Sequence, residues 1–241
     1  MVEILKKAVA VMLQLLYPLR CPVCDEIAVP FGAKVCPSCI GRLKLITSPY
    51  CMKCGKQLKE QEQEYCHDCS TRKHYYVRGR ALYEYGSAAA SIYRFKYGGR
   101  KEYADFYGEQ IAKQLKETLA DMAPDLLIPI PLHPARKRKR GYNQAELLAK
   151  SISGYTGIPV CGTILVRVKN TAPLKRLNPQ ERENNLKKAF HIRGNDVKCK
   201  TILLVDDIYT TGSTIDAAAR ELLNAGAGRV YFIALSIGAG L

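Results

Sequence analysis

The chain has 241 residues, 47% of them hydrophobic and 24% charged, which are globular values that exclude wholesale disorder. Its 37 basic and 22 acidic side chains give a net charge of +15, and residues 126–200 alone hold 16 cations against 4 acids. So local an excess points to a phosphate-rich partner and, with no run near the roughly 18 apolar residues of a membrane span, away from a membrane protein.

The first twenty residues, MVEILKKAVAVMLQLLYPLR, are partly apolar, but Lys6, Lys7 and Gln14 interrupt them and no small-residue cleavage site follows. They read as an amphipathic helix rather than a signal peptide. Ten cysteines follow a different logic. Eight lie within 49 residues as four pairs, Cys21/Cys24, Cys36/Cys39, Cys51/Cys54 and Cys66/Cys69, each starting 15 residues after the last. With no export signal, this spacing fits a reducing cytoplasm and metal ligation better than disulfides. A two-residue gap lets both thiolates face one metal, and two pairs close a tetrahedral Cys₄ site, so eight cysteines suit two structural Zn²⁺. Spacing leaves open whether the pairs combine sequentially or interleaved. His67 lies inside the last pair and reads as a bystander, while Cys161 and Cys199 read as buried apolar side chains. A zinc-binding module is therefore expected over 21–75, between the N-terminal helix (1–20) and a larger domain (76–241).

From Gly79 the texture is that of an α/β domain. RALYEY reads as a strand, Gly98 and Gly99 as a turn, and 103–120 as a helix carrying Tyr107, Ile111, Leu115 and Leu119 on one face. Tyrosines recur between 75 and 107 beside Arg and Lys; they could stack single-stranded bases, but the alternation in RALYEY makes most of them core or interface residues. DLLIPIPL reads as a buried strand, RKRKRGYN as a polar loop, and NQAELLAKSISGYTG as a helix with Asn143 as N-cap and Glu146 at capping-box spacing. Residues 163–168 and AFHI read as short strands flanking a charged, loop-like stretch over 170–188. TILLVDD, IDAAARELLNAG and VYFIALS form a strand–helix–strand unit, which fixes the class as α/β with a parallel sheet flanked by helices.

Two segments carry chemistry. In LLVDDIYTTGST a strand delivers Asp206 and Asp207 at its C-terminal end, where open α/β sheets bind ligands. The loop then brings Thr210, Thr211, Gly212, Ser213 and Thr214 to a helix N-terminus, a cradle for phosphate, with the acids placed to accept from ribose hydroxyls. The second is the run Arg136, Lys137, Arg138, Lys139 and Arg140, which suits either pyrophosphate or a nucleic-acid backbone, unless it is only a solvated charged loop.

VDDIYTTGST resembles the ribose-5-phosphate loop of type I phosphoribosyltransferases. Together with the CxxC pairs, FKYGGR at 95–100, PLHPARKRKRGYNQAELLA at 131–149, and Arg182, Asn185, Ala189 and Phe190, it makes the chain similar to the ComF family of competence proteins. One departure is Leu174, where that family usually has Gln. The resemblance implies a type I phosphoribosyltransferase-like sheet behind a zinc module. It implies binding of 5-phosphoribosyl-1-pyrophosphate (PRPP) with Mg²⁺, with Asp206 and Asp207 as the catalytic acids and residues 206–214 as the sugar-phosphate site. It sets Arg136, Arg138, Arg140, Gly141, Tyr142, Asn143 and Gln144 near pyrophosphate. It also implies single-stranded DNA and a competence helicase as partners. The other readings are a metabolic phosphoribosyltransferase acting on a base or amine, with the zinc module as an appendage, and a nucleic-acid module whose phosphate loop has lost its ligand. An amidotransferase is disfavoured because the first cysteine, Cys21, is already paired.

Overall fold

Four parallel strands organise the molecule in the order β1 (Gly79–Glu84), β6 (Arg229–Ile237), β5 (Thr201–Tyr209), β2 (Leu126–Pro129). The computed structural model describes residue 12, residues 14–168, 189–194 and 196–238. The expected N-terminal helix therefore falls mostly outside the described residues, as do the charged stretch 170–188, Leu174, Arg182 and Asn185.

Strand alternation explains the layers. Ile202 and Leu204 of β5 face α8 (Ser213–Asn224), in one core with Ile128, Phe232, Ala234, Ile215, Ala218 and Leu222. Leu203 and Val205 face the other way. They join Leu127, Ile233 and Leu235 under α3 (Tyr85–Tyr97), α4 (Tyr103–Gln114) and α7 (Gln144–Thr156). A strand buried on both faces needs a continuous apolar run, and ILLV supplies it. A short α5 (Lys116–Met122) continues α4 after Leu115, and β3 (Leu165–Arg167) pairs antiparallel with β4 (Phe190–Ile192) beside the sheet.

Several expectations need amendment. RKRKR is a helix, α6 (Pro134–Arg140), rather than a loop: Pro134 sits at N1, the His133 ring accepts from Ala135 N at 3.3 Å, and Gly141 stops it at φ 84°. Asn143 does cap α7, accepting from Ala145 N at 3.2 Å, but Glu146 does not reach back to close the box; it pairs with Lys150 (2.8 Å) and Lys137 (3.1 Å). Cys199 is exposed and Cys161 half-buried.

The cysteine region is a 30-residue structural repeat. In the first copy Cys21 N donates to Glu26 O and Asp25 N to Cys21 O; in the second Cys51 N donates to Lys56 O and Gly55 N to Cys51 O. The knuckle residue is left-handed in both, Asp25 at φ 65° and Gly55 at φ 76°. Short helices α1 (Pro37–Ile40) and α2 (His67–Thr71) follow Cys36 and Cys66. Between the copies, residues 44–46 lie along β1: Ile46 N donates to Leu82 O (3.0 Å) and Glu84 N to Lys44 O (3.0 Å). That pairing covers the sheet's open edge. It also sends the two ribbons to opposite faces. The first fastens to α3 and α4, where Asp25 accepts from Arg100 Nε (2.7 Å) and the Tyr103 hydroxyl (2.6 Å), and Arg94 donates to the carbonyls of Pro22 and Val23. The second buries Cys51, Cys54 and Cys66 in the α8-side core with Tyr76 and Phe232.

Candidate functional site

The polar end of the sheet is built by β5. Alternation along the strand sends Asp206 and Asp207 to opposite faces. Asp207 is 4% exposed, ion-paired to Lys96 Nζ at 2.7 Å and accepting from Gln144 Nε2. Lys96 comes from the last turn of α3 and Gln144 from N1 of α7, so one carboxylate ties three elements together. Asp206 is half-buried and makes no ion pair among the described residues; its Oδ1 accepts from Asp207 N at 2.8 Å. Burial, then the neighbouring Asp207 charge, pushes its carboxyl up to about 7, with Lys96 and Arg167 opposing.

After Tyr209 the chain turns through Thr210 and Thr211 into α8. Gly212 is the N-cap at φ 79°, and no side chain caps the helix, so its first-turn N–H groups keep free donors. A Cβ on Gly212 would lie 2.5 Å from the Tyr209 hydroxyl, so only glycine fits over that ring. The Thr211 and Ser213 hydroxyls are 3.0 Å apart at the helix mouth, and Thr214 is half-buried beside them. An uncapped helix N-terminus with a carboxylate on the preceding strand has the donors and the dipole that a phosphate group requires.

The basic residues separate into kinds. Arg138 and Lys139 are exposed and make no ion pair among the described residues, whereas Lys137 pairs with Glu146. Arg140 donates to Gln144 Oε1 and stacks 4.8 Å over Tyr97, which links α6 to the Asp207 network. Tyr142 is buried and donates its hydroxyl to Phe95 O; Asn143 uses its amide on Ala145 N and Ile130 O. These two hold the loop in place and offer no free polar group. Between α6 and the β3–β4 pair lies a cleft of about 390 Å³ lined by His133, Lys137, Glu146, Arg167 and Arg193 among others. Lys96 and Arg167 were not singled out from the sequence; Lys96 lies in the FKYGGR segment, but nothing in one sequence says that it meets Asp207.

The cysteines combine sequentially. The sulfurs of Cys21, Cys24, Cys36 and Cys39 lie within 4.8 Å of one another, as do those of Cys51, Cys54, Cys66 and Cys69. Cys54 and Cys66 are 3.7 Å apart, close to the roughly 3.8 Å between sulfurs in a tetrahedron with Zn–S bonds of about 2.3 Å. Four thiolates with no open position make each a structural zinc-binding site, and His67 is in neither set.

Comparison with known proteins agrees with both halves. A double zinc ribbon domain matches residues 12–70 and a phosphoribosyl transferase domain residues 107–237. Competence protein F of Haemophilus influenzae is 31% identical over 216 residues, covering 79% of this chain and 91% of that protein. Competence protein ComFC of Bacillus subtilis is 32% identical over 204 residues, covering 80% and 79%. The DNA utilization protein YhgH of Escherichia coli K12 is 30% identical over 142 residues, covering 58% and 62%. Among solved structures, a purine phosphoribosyltransferase from Pyrococcus horikoshii covers 55% of this chain and 73% of its own at 19% identity, with a TM-score of 0.36.

Proposed function

Since the chain belongs to the ComF family of competence proteins, with a double zinc ribbon ahead of a phosphoribosyl transferase domain, we propose that it binds PRPP with Mg²⁺ at residues 206–214 and takes part in handling single-stranded DNA during natural transformation. The observation that carries the reading is the uncapped N-terminus of α8, entered through Gly212 directly after Asp206 and Asp207. Free backbone donors there suit the 5-phosphate, and Asp206 suits the ribose hydroxyls. Lys137, Arg167 and Arg193, lining the neighbouring cleft, suit pyrophosphate.

The reaction such a site favours is phosphoribosyl transfer. The bond between the anomeric carbon and pyrophosphate breaks, the acceptor bonds to that carbon, and the electron pair leaves with pyrophosphate. Carboxylates near the ribose stabilise positive charge developing at the anomeric carbon, so the site works by position and electrostatics, without a covalent nucleophile. Mg²⁺, when bound with PRPP, neutralises pyrophosphate charge; Asp206, a half-buried carboxylate lacking an ion pair among the described residues, is the group suited to face it.

For DNA, support comes from exposed groups. Tyr93 and Tyr97 are 65% and 63% exposed with ring centroids 5.1 Å apart, and Arg140 lies over Tyr97, at the end of the helix that carries the exposed Arg138 and Lys139. Exposed aromatic faces next to cations are what a single strand stacks on. The deciding experiment is calorimetric titration of the zinc-loaded protein with PRPP·Mg²⁺ and with oligonucleotides in parallel. Saturable heat with both supports the reading. Absence of any PRPP signal at millimolar concentration refutes the phosphosugar site, and absence of oligonucleotide binding even at low salt favours the metabolic transferase.

A further inference from the structure

The second zinc ribbon is joined to the phosphate loop by two side-chain routes. On the first, His74, five residues after Cys69, is 2% exposed at its side chain, with Nε2 3.6 Å from Cys69 Sγ. Its Nδ1 donates to Asp216 Oδ2 at 2.7 Å, and Tyr75 N donates to Asp216 Oδ1 at 2.9 Å. Asp216 lies in the first turn of α8, where its charge suits the helix dipole but opposes an anion at the helix mouth. The tail of the ribbon engages both of its oxygens. On the second route the His74 ring stacks on Tyr76 at 4.8 Å, and the Tyr76 hydroxyl lies 2.7 Å from that of Tyr209. Tyr209 is the ring beneath Gly212 and is stacked on Phe232 at 4.6 Å. From a metal ligand to the floor and first turn of the loop, the side-chain steps through His74, Tyr76 and Tyr209 are buried or half-buried contacts; the Tyr75 N–Asp216 bond is exposed.

Among the described residues, the first ribbon has no such connection to residues 210–216. Cys21, Ala28, Cys36 and Cys39 form a cluster of their own, moored to α3 and α4 across the sheet from α8. Cys51, Cys54 and Cys66, by contrast, share one core with Tyr76, Tyr209 and Ile215.

We propose that the second ribbon is a metal-held strut for the phosphate loop: His74 and Tyr76 are positioning residues that make metal at Cys51, Cys54, Cys66 and Cys69 and ligand at residues 210–216 energetically coupled, whereas metal at the first ribbon is not. A ribbon with so few apolar residues of its own holds its shape through its metal, so losing the metal releases His74 and Tyr76 together. Coupling between sites is reciprocal in affinity: if the metal tightens the loop around its ligand, the ligand must tighten the metal by the same factor.

The ligand half of this inference rests on the phosphosugar reading, but the loop itself can be followed without it. Amide exchange at Asp216, whose N–H donates to Gly212 O at 2.8 Å, and at the α8 amides that follow it is compared in the zinc-loaded protein, in His74→Ala, which keeps all eight cysteines, and in the paired substitutions Cys66→Ser/Cys69→Ser and Cys36→Ser/Cys39→Ser. Exchange faster by roughly tenfold or more in His74→Ala and the second-ribbon variant, with the first-ribbon variant near wild type, is expected; couplings of this kind typically amount to between about 5- and 150-fold. In Cys36→Ser/Cys39→Ser, which carries only the second metal, competition by a chelator should show zinc held about 5- to 100-fold more tightly when PRPP·Mg²⁺ is present. Unchanged exchange in His74→Ala with its zinc retained, or equal loosening by loss of either ribbon's metal, would overturn the strut. Failure of the wild type to bind PRPP would refute the phosphosugar reading alone, because the exchange comparison decides the strut by itself.

Discussion

Asp206 and Asp207 are neighbours in sequence, yet the pleat gives them different chemistry. Asp207 is neutralised by Lys96 in a nearly dry setting. Lys96→Met would leave that carboxylate buried without its cation and should cost about 3–5 kcal/mol in urea unfolding. Asp207→Asn breaks the same pair from the other side and should also cost stability, whereas Asp206→Asn should weaken PRPP·Mg²⁺ by about 1–3 kcal/mol for a lost charge-assisted hydrogen bond. Asp206 titrates in the reverse sense to an ion-paired acid. Its folded carboxyl is raised to about 7 from an ordinary 3.8, so the folded state prefers the protonated form. Its contribution to stability is greatest below 3.8, falls as pH rises between those values, and is lost above 7. Asp206→Asn should therefore stabilise the ligand-free protein more at pH 8 than at pH 5, which denaturant midpoints at the two pH values will show. The acid pair and the glycine loop were legible in one sequence because strand, turn and helix are local. Lys96, Gln144 and His74 gained their meaning only from contacts over 111, 63 and 142 residues of chain.

At the scale of elements, α6 shows what a charge run conceals. Five consecutive cations read as a loop because no apolar period marks a buried face, yet the start and stop signals, Pro134 and Gly141, were present. As a helix, α6 leaves Arg138 and Lys139 exposed. Replacing both with Ala should reduce the slope of log K against log salt for single-stranded DNA by about 1.4, at about 0.7 per phosphate, and weaken all sequences alike. Gel shifts at several salt concentrations will measure it, and an unchanged slope would place the strand elsewhere. Elsewhere the local signals served well: TILLV and VYFIAL are where they were expected because each is a continuous apolar run, and the AAAREL helix because its apolar residues recur at helical spacing. The crossing of α4 and α7 was not legible. A Cβ on Gly108 would lie 2.1 Å from Ser151 Oγ and 2.9 Å from the Ser151 carbonyl carbon. Gly108→Ala should therefore cost about 1–3 kcal/mol, since the backbone as well as a side chain has to move.

For the molecule as a whole, metal and sheet divide the work. Two zinc ions per chain are expected on elemental analysis, and a value near one would mean that one set of four is not a site. Chelation should erase amide protection over 21–75 while β5 and β6, nine residues each and largely buried, remain protected. Cysteine spacing implied the metal but not the pairing, and nothing in it showed that the ribbons straddle the sheet. That depends on Asp25 meeting Arg100 and on residues 44–46 meeting β1. The edge pairing has a consequence in time. Gly79 of β1 aligns with Phe232 of β6, about 150 residues later, and Val77 N donates to Val230 O. While the chain is being made, the ribbons emerge ahead of the sheet and can take up metal, but the strand beside which β1 must settle follows about 150 residues later. Until then the ribbons are metal-bound parts awaiting a frame, and a chain halted before Arg229 would carry loaded zinc with β1 paired only to residues 44–46.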